Sequence, residues 1–257
     1  MNNLLQSNID IHNKIAKKYQ NNHTEIFNNI EQSRLKNELE KAISNIFSIT
    51  NKNQRIAIDY GCGSGNLTAH LLDFDLNVIS ADVSNEFISL IKNQFDSNPK
   101  SSTLLLNGNN VKEFEDDSID FIGIYSVLHH IPDYLFTLKD IARIVKPGGI
   151  IYIDHEANPA YWVNKNRILY FYRKYEDRSF LNKFKNLLNP NWYIKKYNKL
   201  KNPKWQAEGD IHVWDDDHIE WDKIENVLND AKFDMLYFQD YLHFNSNYDL
   251  EDYRRTA

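Results

Sequence analysis

The sequence contains a single cysteine, Cys62, among its 257 residues. One thiol excludes a disulfide within the chain and is typical of a protein of the reducing cytoplasm. Cysteine and histidine pairs at the spacing of zinc ligands are also lacking, so we expect no metal site. The sequence has neither an apolar run of signal-peptide length nor the roughly 20 apolar residues of a membrane span. We therefore expect a cytoplasmic protein with no membrane span.

Internal repeats, low-complexity linkers and recognised RNA- or DNA-binding modules are lacking too. The composition, 42% hydrophobic and 26% charged, is that of an ordinary globular protein. We therefore predict one domain over residues 1–257, with no nucleic acid as a partner.

The net charge of −6 conceals a basic segment. Residues 164–204 contain twelve lysines and arginines against two acids, so they carry +10 and the rest of the chain carries −16. Twelve aromatic residues lie in the wider stretch 157–208. Such a segment fits a solvated face over an aromatic core, a lid that attracts an anionic small molecule, or a surface that reaches a lipid-like molecule in an anionic membrane.

Strand-like apolar runs alternate with amphipathic helical stretches through the first half of the chain. The helical stretches lie near 66–73, 85–95 and 134–145, and the strand-like runs are Arg55–Asp59, Asn77–Ala81, Ser102–Leu106, Phe121–Ser126 and Ile150–Asp154. This alternation predicts an α/β protein with a Rossmann-like, doubly wound and mostly parallel sheet.

The remaining segments complete the predicted domain. Residues 9–48 have helical periodicity, and a second helix is predicted from a cap at Asp215–Asp217 to about Ala231. Closing strands at Met235–Tyr241 and Leu242–Phe244 bring the predicted sheet to seven strands. We therefore divide the domain into N-terminal helices (1–50), a core (51–156), a basic, aromatic, helical cap inserted after the fifth strand (157–208), and a C-terminal helix with closing strands (209–257).

The segment Ile56–Asn66, IAIDYGCGSGN, has the pattern of a buried strand that runs into a glycine-rich turn and then a helix. Glycine permits positive φ and lets a ligand approach the backbone closely. A dinucleotide-binding turn has the spacing G-x-G-x-x-G, whereas this one has G-x-G-x-G. Asp59 would repel a pyrophosphate at this strand end but suits a ligand that carries an ammonium group.

Asp82 ends the second strand-like run, about 20 residues beyond the glycine turn, and is followed by Val83 and Ser84. A carboxylate at this position is placed to accept hydrogen bonds from the two hydroxyls of a ribose. Ser84 suits the N-cap of the next helix better than Asp82 does.

With two further segments, Val127–Asp133 (VLHHIPD) and Lys146–Gly149 (KPGG), these motifs resemble a known family. In order and spacing they are similar to the class I S-adenosylmethionine-dependent methyltransferases that act on small molecules (methyltransferase type 11/12). The resemblance covers roughly residues 50–155 and 213–245. It implies methyl transfer, with S-adenosylmethionine as the cofactor.

The resemblance also implies which residues hold the cofactor. An N-terminal Ala-x-x-Tyr element would place Tyr19 over the methionine end, and Gly108-Asn109-Asn110 stands where the family usually has Gly-Asp-Ala near the adenine. An asparagine carbonyl can still accept a hydrogen bond from the adenine amino group. The implied cofactor-binding residues are Tyr19, Asp59, Gly61, Cys62, Gly63, Gly65, Asp82, Val83, Asn109, Asn110, Tyr125, Ser126 and His130.

Methyl transfer asks mainly for in-line positioning of the acceptor, and it needs a general base only for a weak nucleophile such as a sugar hydroxyl. The candidates are His155, His212 and Tyr19. We expect O-methylation of a small anionic acceptor, which would be phosphorylated, nucleotide-linked or carboxylated. The alternatives are a methyltransferase-like subunit that binds the cofactor without turnover, and a methyltransferase of a lipid-like acceptor.

Overall fold

The computed structural model describes residues 26–47, 50–108, 110–158, 190–201 and 219–241, together with a few single positions elsewhere. The helices of these residues are α1 (Asn29–Ser44), α2 (Asn66–Asp73), α3 (Asn85–Gln94), α4 (Tyr134–Ile144), α5 (Pro190–Lys201) and α6 (Trp221–Asp230). The strands are β1 (Ile56–Tyr60), β2 (Asn77–Asp82), β3 (Ser101–Leu105), β4 (Ile119–Tyr125) and β5 (Val145–Asp154).

The five strands form one parallel sheet in the order β3-β2-β1-β4-β5. The chain builds outward from β1 through β2 to β3, and then returns to the other side of β1 with β4. The strand order therefore changes direction between β1 and β4, and the carboxyl ends of all five strands lie at one edge. This confirms the predicted Rossmann-like, parallel architecture.

Helices cover both faces of the sheet, because successive strand residues point to opposite sides. On one face Ala57 packs with apolar residues of α1 and α2, including Leu35 and Leu71. On the other face Ile58 packs with residues of α4 and α6, including Leu138 and Ile224. Every residue of β4 is buried, as expected for an interior strand of a doubly covered sheet.

Helix α1 begins where a side chain caps it. The Asn28 Oδ1 accepts hydrogen bonds from the backbone N–H groups of Ile30 and Glu31. Residues 26–28 form a turn and a bend, so the helical periodicity predicted over 9–48 is interrupted there. Ser84 likewise caps α3 by accepting from the N–H of Phe87, which confirms its predicted role.

Strand β5 begins earlier than predicted, at Val145 rather than Ile150. Val145 pairs with Ile119, and the regular register resumes only at Ile150 opposite Phe121. The Lys-Pro-Gly-Gly segment therefore forms an irregularity within the strand, where Gly148 has a φ of 78°.

The C-terminal predictions are only partly correct. Residues Met235–Tyr241 form irregular structure instead of a strand. Met235, Leu236 and Tyr237 are at least half exposed, so these three side chains are not packed into the core. Leu242–Phe244 lies outside the described residues, and the described part of the chain has five strands rather than seven.

Two other predictions concern the segments that flank these residues. Helix α6 begins at Trp221 with Glu220 as its N-cap, and the predicted cap at Asp215–Asp217 lies outside the described residues. Of the predicted helical cap, α5 is described, while most of 159–189 and 202–218 is not. Among the helices of the described residues, none has the length and apolar character to cross a bilayer.

Candidate cofactor-binding site

A pocket opens at the carboxyl ends of β1 and β4, where the strand order changes direction. Open α/β sheets bind ligands at such points because the loops after the two strands diverge. The turn after β1, the end of β4 and residues Ile26 and Phe27 contribute to its wall. The wall includes six of the residues predicted to bind the cofactor, namely Asp59, Gly61, Cys62, Gly63, Tyr125 and Ser126.

The glycine turn after β1 requires glycine at three positions, for two different reasons. Gly61, Gly63 and Gly65 have φ values of 71°, 48° and 85°, in the left-handed region. A Cβ at Gly61 would lie 2.6 Å from Val127 Cγ2, and one at Gly65 would lie 2.4 Å from Ile91 Cδ1. A Cβ at Gly63 would meet no atom within 4 Å. Gly61 and Gly65 therefore serve close packing, while Gly63 faces open space at the pocket.

Two buried polar atoms at this turn make no hydrogen bond within the described part of the chain. They are Ser64 Oγ and Asn66 Nδ2, and both residues line the pocket. A buried polar group without a partner is costly, so such atoms are expected to bond a ligand. The turn therefore fits a polar ligand that approaches the backbone at Gly63.

We expect Gly63→Ala to lower the affinity for S-adenosylmethionine, the cofactor that the resemblance implies, by at least about tenfold. The new methyl group would project into the space at the pocket, although it contacts no protein atom. Titration calorimetry with the purified protein measures this change.

Gly148→Ala is the matched control for this substitution. Gly148 also has positive φ, at 78°, but it lies in the irregular start of β5 at the opposite edge of the sheet. Both alanines should cost about 1–2 kcal/mol of stability through the left-handed backbone. Equal affinities in the two variants would show that Gly63 does not face the ligand.

Asp59 is a buried carboxyl at the end of β1. Its Oδ2 accepts hydrogen bonds from the backbone N–H and the hydroxyl of Thr68, at 2.8 and 2.6 Å. Burial, opposed by the Thr68 bonds and assisted by the charge of Asp82, raises the pKa of Asp59 to about 7. Asp59 therefore holds α2 against β1, and a cationic group bound in the pocket would favour its charged form.

We expect the affinity for S-adenosylmethionine to fall by about tenfold between pH 8 and pH 6, because binding of the ammonium group requires ionised Asp59. Calorimetry across this interval measures the effect. Asp59→Asn should bind more weakly and without this pH dependence. If the affinity fell equally with pH in the wild type and in Asp59→Asn, the pH dependence would belong to another group.

Asp59→Asn should also have a higher melting temperature than the wild type at pH 8. The folded-state pKa of Asp59 lies above the unfolded value of 3.8, so its contribution to stability is lost as pH rises through about 7. A neutral amide avoids this loss, and the difference between the two proteins should shrink at pH 5.

Asp82 supports the glycine turn from the end of β2. Its Oδ2 accepts a hydrogen bond from Gly63 N–H at 2.9 Å, and its Oδ1 accepts one from Ser84 N–H at 2.8 Å. The side chain is buried at 6% exposure. Each carboxylate oxygen has a second lone pair, so Asp82 can hold the turn and still accept from a ligand hydroxyl.

The other predicted cofactor residues are less closely grouped. Val83 packs at the margin of the core, and Asn110 Oδ1 accepts from the Asn107 amide in the turn after β3. The His130 ring packs on His129 with centroids 4.0 Å apart. Tyr19, Asn109 and His212 lie outside the described residues.

Glu156 holds the turn that follows β4. Its Oε1 accepts from the backbone N–H groups of Val127 and Leu128, both at 2.7 Å, and its Oε2 lies 2.8 Å from His129 Nδ1. The Glu156 side chain is fully buried. Because Val127 packs on Gly61, Glu156 fixes the turn after β4 against the glycine turn.

A buried polar network, which sequence reasoning missed, lies beside the pocket. Its centre is Arg34 of α1, which donates to both oxygens of Glu31 and to Asp154 Oδ2. Arg34 also donates to the hydroxyl of Tyr241 and lies 3.8 Å from the centroid of its ring. Burial alone would lower the Arg34 pKa, but the bond to Glu31 and the charge of Asp154 raise it on balance. Arg34 therefore remains charged.

Three tyrosines donate into this network. Tyr125 bonds Glu31 Oε1 at 2.9 Å, Tyr241 bonds Asp154 Oδ1 at 3.0 Å, and Tyr152 bonds Asp154 Oδ2. Burial and the adjacent carboxylates raise the pKa of each tyrosine well above its ordinary value. The three hydroxyls therefore stay protonated at neutral pH and are poor candidates for a general base.

His155 joins this network to the pocket. It has a positive φ of 59°, and its ring stacks on Tyr125 with centroids 5.0 Å apart. His155 Nδ1 lies 3.1 Å from the Tyr241 oxygen, whose own proton is donated to Asp154. Nδ1 is therefore the donor in this contact, which leaves Nε2 as the basic nitrogen of a neutral ring.

Comparison with known proteins gives a family match over the core. Residues 58–153 match the family model of a methyltransferase domain. This range begins in β1 and ends in β5, and it contains the glycine turn, Asp82 and the turn after β4.

Two curated relatives carry the same name. Demethylmenaquinone methyltransferase of Bacillus cereus (strain B4264) is 28% identical over 167 residues, which cover 63% of this chain and 68% of that protein. Demethylmenaquinone methyltransferase of Bacillus pumilus (strain SAFR-032) is 32% identical over 123 residues, which cover 46% of this chain and 52% of that protein. The matched segment thus spans 68% of the length of the first relative and about half of the second.

Among solved structures, a SAM-dependent methyltransferase from Methanosarcina mazei is similar with a TM-score of 0.49 and 18% identity, covering 77% of this chain and 86% of that one. The family match contains the motifs on which the resemblance was based. The resemblance of this chain to the S-adenosylmethionine-dependent methyltransferases is therefore confirmed over residues 58–153.

Proposed function

We propose that this protein transfers the methyl group of S-adenosylmethionine to a small acceptor. The observation that carries this proposal is the glycine turn, where Gly63 faces open space and Ser64 Oγ and Asn66 Nδ2 are buried without partners among the described residues. The methyltransferase family match over the same segment supports it.

The cofactor would lie along the carboxyl edge of the sheet. Asp59 and the glycine turn would hold the methionine portion, Asp82 would accept from the ribose hydroxyls, and Tyr125 and Ser126 would line the wall. The adenine would contact Val83, Asn109 and Asn110, with His130 nearby and Tyr19 closing over the methionine end.

The chemistry requires position more than activation by the protein. When bound, S-adenosylmethionine supplies a methyl group on a cationic sulfur, which leaves as a neutral thioether. The chain's own residues would hold the acceptor in line with the methyl group and exclude water.

For a hydroxyl acceptor, His155 is the general base that the geometry favours. Its ring lies on Tyr125, which lines the pocket, and Nε2 is its basic nitrogen. As the acceptor oxygen attacks the methyl group, Nε2 would take up the hydroxyl proton. His212 and Tyr19 are the other candidates for a catalytic role.

The charge of the chain supports an anionic acceptor. Residues 164–204 carry +10 while the rest carries −16, so a phosphorylated, nucleotide-linked or carboxylated molecule would be attracted to this segment. O-methylation of such a metabolite is our first candidate reaction.

A lipid-like acceptor is the second candidate. Two observations favour it, the name demethylmenaquinone methyltransferase of both relatives and the exposed apolar face of helix α5. A quinone-like acceptor would occupy the same place as an anionic acceptor, in line with the methyl group of the cofactor.

Incubation with methyl-labelled S-adenosylmethionine tests the reaction and separates the candidates. The acceptors should include nucleotide sugars, phosphorylated sugars, carboxylic acids and a short-chain naphthoquinol, each with and without the protein. Label in an anionic product supports the first candidate, and label in the naphthoquinol supports the second. Tight cofactor binding without transfer to any acceptor would favour a binding subunit without turnover.

His155→Ala is the matched test of the base. With a hydroxyl acceptor, kcat should fall by about 10²- to 10⁴-fold while cofactor affinity is retained. Unchanged kcat would remove His155 from the chemistry and leave the transfer reaction itself standing.

A further inference from the structure

Helix α5 exposes a stripe of large apolar side chains. The stripe consists of Tyr193 and of the residues one, four and seven positions after it, namely Ile194, Tyr197 and Leu200. This spacing places the four side chains on one side of the helix. All four are exposed, and Leu200 reaches 76% exposure. Four large apolar side chains on one helix face mark an interaction surface, because scattered single exposures are the ordinary case.

Lysines accompany this stripe. Lys196 and Lys201 are exposed on the same helix, and Lys201 Nζ lies 5.0 Å from the centroid of the Tyr197 ring. The sequence of α5 contains four lysines and no acid. Apolar residues on one side with lysines beside them are typical of helices that lie in the surface of a lipid bilayer.

The charge of the whole chain also points to an anionic surface. Helix α5 belongs to the segment with +10, whereas the rest of the chain carries −16 and would be repelled by anionic lipids. The protein would therefore meet such a membrane with this segment first. A protein partner fits less well, because lysine is depleted from the core of protein interfaces.

The length of α5 excludes a spanning role for this helix. Twelve residues rise by about 18 Å, which is less than the roughly 30 Å of a hydrocarbon core. A helix of this length can lie in the plane of the interface, with its apolar side chains in the acyl boundary and the lysine ammonium groups at the phosphates.

We propose that α5 docks the protein on an anionic lipid bilayer, with Tyr193, Ile194, Tyr197 and Leu200 inserted and the lysines at the headgroups. This inference deepens the second candidate of the proposed function, because docking would bring the protein to a membrane in which a lipid-like acceptor is dissolved. The inference rests on the proposed function only for the reason why the protein would dock. Docking itself is measured without an acceptor and without turnover.

Vesicle flotation of the full chain tests the proposal. Phosphatidylcholine vesicles that contain phosphatidylglycerol are compared with vesicles of phosphatidylcholine alone. The wild type should float with the anionic vesicles at least about tenfold more than with the neutral ones, and high salt should reduce this binding.

Leu200→Glu and Phe47→Glu form a matched pair, because the two side chains are 76% and 74% exposed and receive the same charge. Phe47 bonds Gly148 at the opposite edge of the sheet from the pocket. Leu200→Glu should lose at least about tenfold of the bound fraction, and Phe47→Glu should lose about twofold or less. Leu200→Gln should give an intermediate loss without the added charge.

Three results would overturn the proposal: no flotation of the wild type with anionic vesicles, equal losses in Leu200→Glu and Phe47→Glu, or a dimer of the wild type that Leu200→Glu dissociates. Unchanged cofactor affinity in both variants shows that they are folded. Flotation without methylation of any lipid-like acceptor would reject the second candidate and leave the docking in place.

Discussion

Asp82→Ala is expected to weaken S-adenosylmethionine binding by about 100-fold or more. The substitution would remove the carboxylate that we assign to the ribose hydroxyls, and each hydrogen bond to a charged group contributes about 1.5–3 kcal/mol. It would also release the N–H groups of Gly63 and Ser84, which both bond Asp82. The glycine turn would then lose its support as well as its ligand contact. Titration calorimetry with S-adenosylmethionine measures the loss.

Asp82→Asn separates these two effects. Its amide oxygen can still accept from Gly63 or Ser84, so the turn should be retained in part while the charge is lost. Asp116→Ala is the surface control, because Asp116 is exposed and pairs with Arg143 away from the pocket. Affinity in Asp82→Ala equal to that in Asp116→Ala would contradict the ribose assignment.

The core of this fold was predictable because short apolar runs mark most of its strands. All seven residues of β4 are buried, and such a run has no polar alternation that could assign it to a surface strand. The glycine turn was equally visible, since three residues at positive φ within five positions require glycine. Both signals are local and therefore appear in the sequence itself.

The role of Asp59 was only half visible in the sequence. Its position at the end of β1 was predicted, and so was its place at the ligand pocket. Its two bonds to Thr68 were not, because they depend on how α2 returns across the end of β1. The resulting burial raises the pKa of Asp59 to about 7, which no local pattern indicates.

The prediction of a strand at Met235–Tyr241 was wrong because the conformation of this run depends on distant contacts and not on its local pattern. Its composition is that of a strand, but strand formation requires a neighbouring edge and a surface to pack on. In the described structure this run is irregular, and Tyr241 instead reaches the network around Arg34. Tertiary contacts across about 200 residues decided its conformation.

The network around Arg34 left no signal in the sequence. Glu31 and Arg34 stand three residues apart on α1, which is the ordinary spacing of a surface ion pair. Only the folded chain brings Asp154 to 2.8 Å from Arg34, across 120 positions. An exposed ion pair contributes little to stability, whereas breaking a buried one leaves a carboxylate without its cation. The buried pairs of Arg34 with Glu31 and Asp154 are therefore expected to matter for the stability of the protein.

We expect Arg34→Met to cost about 3–5 kcal/mol of stability, a large part of the total for a domain of this kind. Methionine retains much of the side-chain volume but leaves the buried carboxylates of Glu31 and Asp154 without their cation. The hydroxyl of Tyr241 would also lose a donor, which loosens the support of His155. Urea unfolding followed by circular dichroism measures the free energy of unfolding.

Lys41→Met on the same helix is the control, because Lys41 is 62% exposed and solvent screens its pair with Glu38, so its loss should change the free energy of unfolding little. A loss from Arg34→Met that is due to uncompensated charge should shrink when Glu31→Gln is added, although Glu31→Gln alone replaces one of the two oxygens that accept from Arg34 with an amide nitrogen. Acidification should recover part of it as well, because a protonated carboxyl no longer needs the cation. A loss that neither change reduces would assign the role of Arg34 to packing of its stem on Tyr241.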